Sequence, residues 1–205
     1  MTYKTILFDV DNTLIDSASI AANVFHDVIA TYGVDIPVQQ LRNLVGLPTD
    51  KILEQLQIEP AAEIAANYVK KISAYKDNLH FFDGIQTTWK RLKNNGIDTG
   101  IVTSRTMAEV KSDLANFPEI THSKIIVTAD KTSEHKPSGA PLEFAMKQNG
   151  LVKNETIYVG DTVYDMQAAF DAKIDFASAT WGALPNADFS EATYQLEHPY
   201  ELLNL

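Results

Sequence analysis

Residues 5–14, with the sequence TILFDVDNTL, are the most informative segment of the chain. They open with a short apolar run, Thr5–Phe8, that is typical of a buried β-strand and that ends abruptly at Asp9. Because alternate residues of an extended segment point the same way, Asp9 and Asp11 are expected to share a direction. Two neighbouring carboxylates at the end of a buried strand repel each other and are costly to desolvate. The pattern therefore indicates either a functional acidic pair or turn aspartates that cap a following helix.

Four further apolar runs predict strands, and segments with helical periodicity separate the later ones. The predicted strands are Ile97–Thr103, Lys124–Thr128, Thr156–Val159 and Ile174–Ser178. Strands that alternate with helices in this way predict an α/β fold with a Rossmann-like parallel sheet that is covered by helices on both faces.

The stretch from Ser17 to about Leu79 interrupts this alternation with about four amphipathic helical patterns. We therefore predict two domains. Residues 1–15 and 80–205 form an α/β core, and residues 16–79 form a small α-helical cap that is inserted after the first strand. One large α/β domain with a helical excursion is the alternative.

A second acidic strand end occurs at residues 158–165, which read YVGDTVYD. Asp161 follows the buried run directly, and Asp165 comes one helical turn later. Taken alone, Asp161 could be a helix N-cap and Asp165 an exposed helix residue. In a parallel sheet, however, the carboxyl ends of the strands converge on one crevice, so the two acidic ends are expected to meet there. Several carboxylates in one crevice require a cation, and a set of oxygen ligands suits Mg²⁺.

Two polar features follow the ends of other predicted strands. Thr103 and Ser104 end the second strand, where hydroxyls and helix N-terminal amides suit an anion. Lys136 lies in a loop just before the next helix. It is either an exposed loop lysine or a buried charge that balances the acidic crevice.

Composition excludes several classes of function. The 205 residues carry a formal net charge of −10 and no cysteine. The acidic balance argues against binding to nucleic acid or to an anionic membrane surface. The absence of cysteine excludes disulfides, metal–thiolate sites and thiol nucleophiles. Without a signal-peptide pattern or a long apolar span, the expected localisation is cytoplasmic.

Taken in order, four motifs resemble those of the haloacid dehalogenase superfamily. They are Asp9-Val10-Asp11-Asn12-Thr13, Thr103-Ser104, Lys136-Pro137 and Gly160–Asp165. The helical insertion after the first motif resembles that of the phosphoglycolate-phosphatase-like and β-phosphoglucomutase-like branch. The resemblance covers essentially the whole chain. It implies a Mg²⁺-dependent phosphatase that acts on a small phosphorylated metabolite through an aspartyl-phosphate, as a monomer or weak dimer.

The resemblance also implies a role for each acidic residue. Asp9 would attack phosphorus, and Asp11 would serve first as general acid and then as general base. Three groups would hold Mg²⁺: one oxygen of Asp9, the Asp161 carboxylate and the backbone carbonyl of Asp11. Asp165 would be a further ligand or would orient one.

The remaining roles concern the phosphoryl group and the substrate. Thr103, the Ser104 amide and Lys136 would hold the phosphoryl oxygens, which makes Thr103 and Lys136 part of the catalytic set. In this family a loop of the cap determines substrate specificity. The candidate specificity residues in this sequence are Gly46, Leu47, Pro48 and Thr49, and a plain helix–helix turn is the alternative interpretation of this segment.

Two alternative functions stay open at this point. A sugar phosphomutase of the same branch is disfavoured because the cap loop, residues 46–50, contains no arginine. A non-catalytic binding or regulatory protein is disfavoured because every motif position keeps a chemically competent residue.

Overall fold

The computed structural model describes residues 2–45, 49–72, 74–75 and 78–205. The chain divides into two compact units. The first, Met1–Ile15 with Phe81–Leu205, is called the α/β unit below, and the second, Asp16–His80, is called the helical unit. Among the described helices, none combines the length and the apolar character that a membrane crossing requires.

The α/β unit is built on one sheet of six parallel strands. The strands are β1 (Thr5–Phe8), β2 (Asp98–Val102), β3 (Ile125–Val127), β4 (Thr156–Gly160), β5 (Asp175–Ala179) and β6 (Tyr194–Leu196). Their order across the sheet is β3-β2-β1-β4-β5-β6. The direction in which the chain adds strands therefore reverses between β1 and β4, and such a switch point is where parallel sheets open a crevice for ligands.

The helical unit has four α-helices in its described residues. They are α1 (Ser17–Ala30), α2 (Val38–Arg42), α3 (Thr49–Leu56) and α4 (Ala61–Ile72). The side chain of Asp16 caps α1 by accepting a hydrogen bond from the Ser19 amide at 3.1 Å. Buried apolar residues of the four helices pack together, among them Phe25, Leu53 and Ile64. This unit thus has a hydrophobic core of its own.

Five helices accompany the sheet in the described part of the α/β unit. They are α5 (Ile85–Asn94), α6 (Met107–Asp113), α7 (Pro118–Thr121), α8 (Ala140–Asn149) and α9 (Val163–Ala172). Successive side chains of β1 point to opposite faces of the sheet. Leu7 belongs to the cluster that α8 and α9 cover, whereas Phe8 lies against Trp89 of α5, with ring centroids 5.2 Å apart. Both faces are therefore buried, which explains why β1 is apolar throughout.

The predicted α/β class is confirmed, and each of the five predicted strands is present, with ends that differ by at most one residue. β6 is absent from the sequence prediction. Of its three residues only Leu196 is buried, so no apolar run marks this edge strand.

Candidate active site

Pairing between β1 and β4 brings the two acidic strand ends together. Phe8 lies opposite Val159 in the register, and the Asp9 amide donates a hydrogen bond of 2.9 Å to the Val159 carbonyl oxygen. Asp9 and Asp161 therefore leave neighbouring strands at the switch point of the sheet. The expectation that the strand ends converge on one crevice is met at this position.

Three carboxylates form a buried cluster at this point, which we call the acidic cluster: Asp9, Asp161 and Asp165. Each offers one oxygen, and these oxygens all lie within 4.8 Å of one another. The Thr13 hydroxyl donates to Asp161 Oδ1 at 3.0 Å, which ties the first acidic loop to the second.

The structure decides between the two interpretations of the second acidic motif. The N-cap of α9 is Thr162 and not Asp161. Asp165 is the third residue of the helix, and its Oδ2 accepts a hydrogen bond of 3.0 Å from the Thr162 amide in a capping box. Asp165 is only 1% exposed, so the interpretation as an exposed helix residue is wrong.

Lys136 supplies the counter-charge of the acidic cluster. Its Nζ donates to Asp9 Oδ1 at 2.7 Å and to Asp165 Oδ1 at 2.6 Å, and its side chain is 9% exposed. It also donates to the hydroxyl of Tyr158 at 3.1 Å, and that hydroxyl in turn donates to the Val102 carbonyl oxygen at 3.0 Å. Of the two interpretations of Lys136, the buried balancing charge is therefore the one observed. Sequence reasoning missed Tyr158, whose signal is a hydroxyl within an otherwise apolar strand.

The electrostatics of the cluster show that one lysine does not balance three carboxylates. Burial raises the pKa of Asp9 to about 7, and the negative charges of Asp165 and Asp11 add to this effect while Lys136 opposes it. Burial, with the charges of Asp9 and Asp165, raises the pKa of Asp161 well above its usual range. Burial acts to lower the pKa of Lys136, but Asp165 and Asp9 outweigh it and raise that pKa well above its usual range. The cluster therefore keeps an excess of negative charge that a bound cation can neutralise.

Asp11 has a different environment. Both of its oxygens accept hydrogen bonds from Arg105, Nε to Oδ2 and one terminal nitrogen to Oδ1, each at 2.7 Å. The other terminal nitrogen of Arg105 donates to Asp113 Oδ2 at 3.1 Å. Sequence reasoning missed Arg105, which directly follows Thr103 and Ser104. A cation directly after a strand end that faces an acidic crevice is the signal that could have found it.

A cavity of about 240 Å³ opens over these groups, and all of its lining residues belong to the α/β unit. It is lined by Asp9, Asp11, Asn12, Ser104, Lys136, Asp161, Thr162, Tyr164 and Asp165. Sequence reasoning missed Asn12, Thr162 and Tyr164 as wall residues. Tyr164 is 59% exposed, so its ring stands at the wall and not in the core.

The two residues proposed for the phosphoryl group from the second strand differ in position. Ser104 lines the cavity, whereas Thr103 is 4% exposed and is not among the lining residues. The Thr103 hydroxyl accepts a hydrogen bond of 3.2 Å from the Arg105 amide, so it shapes the turn after β2.

Glycine is required at two positions that shape the cavity. A Cβ on Gly160 would lie 2.5 Å from Cβ of Asp165, so only glycine lets Asp165 fold back over the end of β4. A Cβ on Gly182 would lie 1.6 Å from the carbonyl oxygen of Asn12. Beside Gly182, Trp181 donates from Nε1 to the Thr13 carbonyl oxygen at 2.9 Å. The segment after β5 therefore holds the first acidic loop in place.

The candidate specificity residues of the cap loop are placed only in part. Gly46, Leu47 and Pro48 lie outside the described residues. Thr49 is the first residue of α3 in the helical unit.

Comparisons with known proteins give a consistent result. A family model described as haloacid dehalogenase-like hydrolase matches residues 6–179. A pyrophosphatase PpaX of Halalkalibacterium halodurans is 31% identical over 182 residues, which cover 86% of this chain and 83% of that protein. A phosphoglycolate phosphatase of Xylella fastidiosa is 28% identical and covers 90% of this chain and 83% of its own length.

Solved structures agree with the sequence matches. A crystal structure from Lactobacillus plantarum has a TM-score of 0.77 at 28% identity, with 100% of this chain and 99% of that chain covered. A haloacid dehalogenase family hydrolase from Deinococcus radiodurans, solved with bound phosphate and sodium, has a TM-score of 0.85. It is 19% identical and covers 98% of this chain and 93% of that chain, so it shows a shared fold.

Proposed function

The chain belongs to the haloacid dehalogenase-like hydrolases, and on this premise we propose that it is a Mg²⁺-dependent phosphatase. The substrate is a small phosphomonoester, and the reaction passes through an aspartyl-phosphate on Asp9. The observation that carries the proposal is the acidic cluster. Three buried carboxylates with oxygens within 4.8 Å of one another meet a buried lysine at the switch point of a parallel sheet.

Asp9 is the nucleophile in this proposal. An oxygen of its carboxylate attacks phosphorus, the bond from phosphorus to the ester oxygen breaks, and an acyl phosphate forms. Lys136 supports this role because its Nζ donates to Asp9 Oδ1 at 2.7 Å. Its positive charge would also stabilise the phosphoryl oxygens of a substrate bound beside Asp9. Water then attacks the phosphorus of the intermediate, which releases phosphate and restores the Asp9 carboxylate.

Asp11 handles the protons of both steps. It gives a proton to the departing ester oxygen and later takes one from the attacking water. Its support is its position on the wall of the same cavity as Asp9. Ser104, which lines the same cavity, offers its amide and hydroxyl to the phosphoryl oxygens.

The donor set of the acidic cluster fits Mg²⁺. Asp9, Asp161 and Asp165 offer only oxygen, and within the described residues no histidine belongs to this group. Burial raises the pKa of Asp9 and Asp161, and a cation bound beside them would stabilise their ionised forms. When bound, Mg²⁺ supplies positive charge that offsets the charge of the phosphoryl oxygens.

The size of the cavity and the names of the relatives support the class of substrate that we propose. About 240 Å³ of polar cavity suits a compact anionic molecule more than a polymer. Among the relatives, one is named a pyrophosphatase and another a phosphoglycolate phosphatase. We therefore propose a small phosphorylated metabolite as substrate.

The test is phosphate release from a panel that contains pyrophosphate, phosphoglycolate, sugar phosphates and nucleoside monophosphates. Each compound is measured with Mg²⁺ and with a chelator, for the native chain, Asp9→Asn and a control variant Asp98→Asn. Asp98 is exposed and is the first residue of β2, whereas the cavity lies at the carboxyl end of the sheet. Its loss therefore leaves the cavity intact. Release that needs Mg²⁺, survives in Asp98→Asn and is lost in Asp9→Asn supports the proposal. No release from any compound contradicts it.

A further inference from the structure

We propose that Arg105 is a positioning residue for Asp11, and that Asp113 in turn holds Arg105. The inference rests on the proposed function, because Asp11 needs a defined orientation only if it exchanges protons with the substrate. It goes beyond the motif residues, since neither Arg105 nor Asp113 belongs to the four motifs.

The contact between Arg105 and Asp11 fixes direction as well as distance. Two parallel hydrogen bonds of 2.7 Å join the planar guanidinium to the two oxygens of the carboxylate. A bidentate pair of this kind restrains the rotation of both groups, which a single hydrogen bond does not do. The carboxylate plane of Asp11 is therefore set by the guanidinium plane of Arg105.

Arg105 is itself held from three sides. Its amide donates to the Thr103 hydroxyl at 3.2 Å, and its carbonyl oxygen accepts from the Ala129 amide at 2.9 Å. At the far end of the side chain, Asp113 of α6 accepts at 3.1 Å. These contacts connect Asp11 to the turn after β2, to the segment after β3 and to α6.

The charges also favour a dedicated partner for Asp11. Asp9 and Asp11 line the same cavity, where their like charges repel each other. Lys136 is already engaged with Asp9 and Asp165. Without Arg105, the Asp11 side chain would lose the cation that keeps it beside the acidic cluster in one orientation.

A purely structural role for Arg105 would be a weak one. The side chains of Arg105, Asp11 and Asp113 are 20%, 34% and 30% exposed. Ion pairs that keep this access to water contribute less to folding than fully buried pairs do. The contact geometry therefore matters more for orientation than for stability.

The test uses a series of aryl phosphates whose leaving phenols differ in basicity, from p-nitrophenyl phosphate to phenyl phosphate. A good leaving group needs no proton from Asp11 in the first step, whereas a basic one does. The phenol released in the first turnover is measured by rapid mixing with Mg²⁺. The variants are Arg105→Met, Arg105→Lys and Asp113→Asn. Arg91→Met, at an exposed arginine of α5, is the control.

We expect Arg105→Met to slow the first turnover of phenyl phosphate by about 100-fold, within the range of general acid catalysis. For p-nitrophenyl phosphate the expected loss is a few-fold at most, by the same reasoning. Asp113→Asn should show a smaller loss with the same dependence on the leaving group. Arg105→Lys, which keeps the charge without the bidentate contact, should fall between Arg105→Met and the native chain.

A loss of equal size for all leaving groups overturns the inference, because it indicates that Arg105 acts on the phosphoryl group or on the fold. An unchanged rate in Arg105→Met also overturns the inference. If Arg105→Met does not fold, Arg105→Lys and Asp113→Asn decide the question by the same criterion. If the native chain hydrolyses none of the compounds, the proposed function itself fails and this inference falls with it, which is a different result from a uniform loss in an active enzyme.

Discussion

Two acidic groups share one cavity and are neutralised in different ways. In the acidic cluster, three aspartates that are at most 7% exposed as whole residues face the ammonium of Lys136. In the neighbouring pair, Asp11 and Asp113 flank the guanidinium of Arg105, and all three side chains keep contact with water. The first arrangement sets three ionisable carboxyls against one ammonium out of water, whereas the second sets two carboxylates against one guanidinium in contact with water.

The difference between the two groups indicates which of them needs a bound metal ion for its charge to be neutralised. Burial removes the water that would otherwise stabilise the carboxylates, so Asp9 and Asp161 have raised pKa values. The Asp11–Arg105 pair supplies its own counter-charge and keeps part of its hydration. We therefore expect the acidic cluster to respond strongly to mutation, to pH and to Mg²⁺, and the Asp11–Arg105 pair to respond in catalysis more than in stability.

The largest expected effect is the loss of turnover in Asp9→Asn. The amide cannot attack phosphorus as the carboxylate does, so kcat with Mg²⁺ should fall by about a thousandfold or more. Steady-state phosphate release checks this, and Asp98→Asn should match the native chain. Substantial turnover in Asp9→Asn would show that another group is the nucleophile.

Lys136→Met should cause the largest loss of stability. It leaves the buried carboxylates without their ammonium, and removal of one partner from a buried ion pair costs about 3–5 kcal/mol. Denaturant unfolding without divalent cations measures the loss, and Mg²⁺ should recover part of it. A change below about 1 kcal/mol, the range of surface ion pairs, would contradict the picture of an under-compensated cluster.

The stability of the metal-free protein should depend on pH because of Asp9. Its pKa is about 7 in the folded state and near its usual value of 3.8 in the unfolded state. Between these values the folded state holds a proton that the unfolded state has lost, so the free energy of unfolding falls as pH rises. We expect a decrease on the order of 1–3 kcal/mol between about pH 4 and pH 7, measured by denaturant unfolding with a chelator.

Mg²⁺ should flatten this pH dependence, because a bound cation favours the ionised carboxylates. Asp9→Asn should weaken it, since one titrating group is gone and Asp161, whose pKa is also raised, remains. An unfolding free energy that rises with pH across the same window in the metal-free protein would contradict the assigned direction.

The smallest expected effect is the stability change in Arg105→Met. The pair with Asp11 keeps contact with water, so its loss should lower the free energy of unfolding by about 1 kcal/mol or less. Denaturant unfolding of this variant beside Lys136→Met sharpens the contrast between the two groups. A loss as large as that of Lys136→Met would show that the two groups are alike in stability.

Much of the fold and part of the site could be predicted from the sequence. The predicted family is confirmed, as is its class of activity, a hydrolase. Buried strands carry apolar runs because both faces of the sheet are covered, so β1 and β4 were recognisable. Asp9 and Asp161 were recognisable as candidates because each directly follows an apolar run, and the carboxyl ends of parallel strands meet at one crevice.

Residues whose position depends on local turns were harder to predict. Thr103 and Ser104 were both predicted to hold phosphoryl oxygens. Ser104 lines the cavity, whereas the Thr103 hydroxyl accepts a hydrogen bond from the Arg105 amide. Asn12 and Tyr164 line the cavity without any signal in their residue types. β6 was missed because two of its three residues are exposed.

The sequence by itself determined the strand ends, since an apolar run that stops at an aspartate is a local pattern. It also determined that the acidic ends would meet, because parallel strands present their carboxyl ends at one edge of the sheet. Only the tertiary structure shows which basic side chain pairs with which carboxylate. Lys136 reaches Asp9 across 127 positions of the chain, and Arg105 reaches Asp11 across 94. Such pairings depend on the order of strands in the sheet and on the side-chain directions at their ends, and no spacing along the chain encodes them.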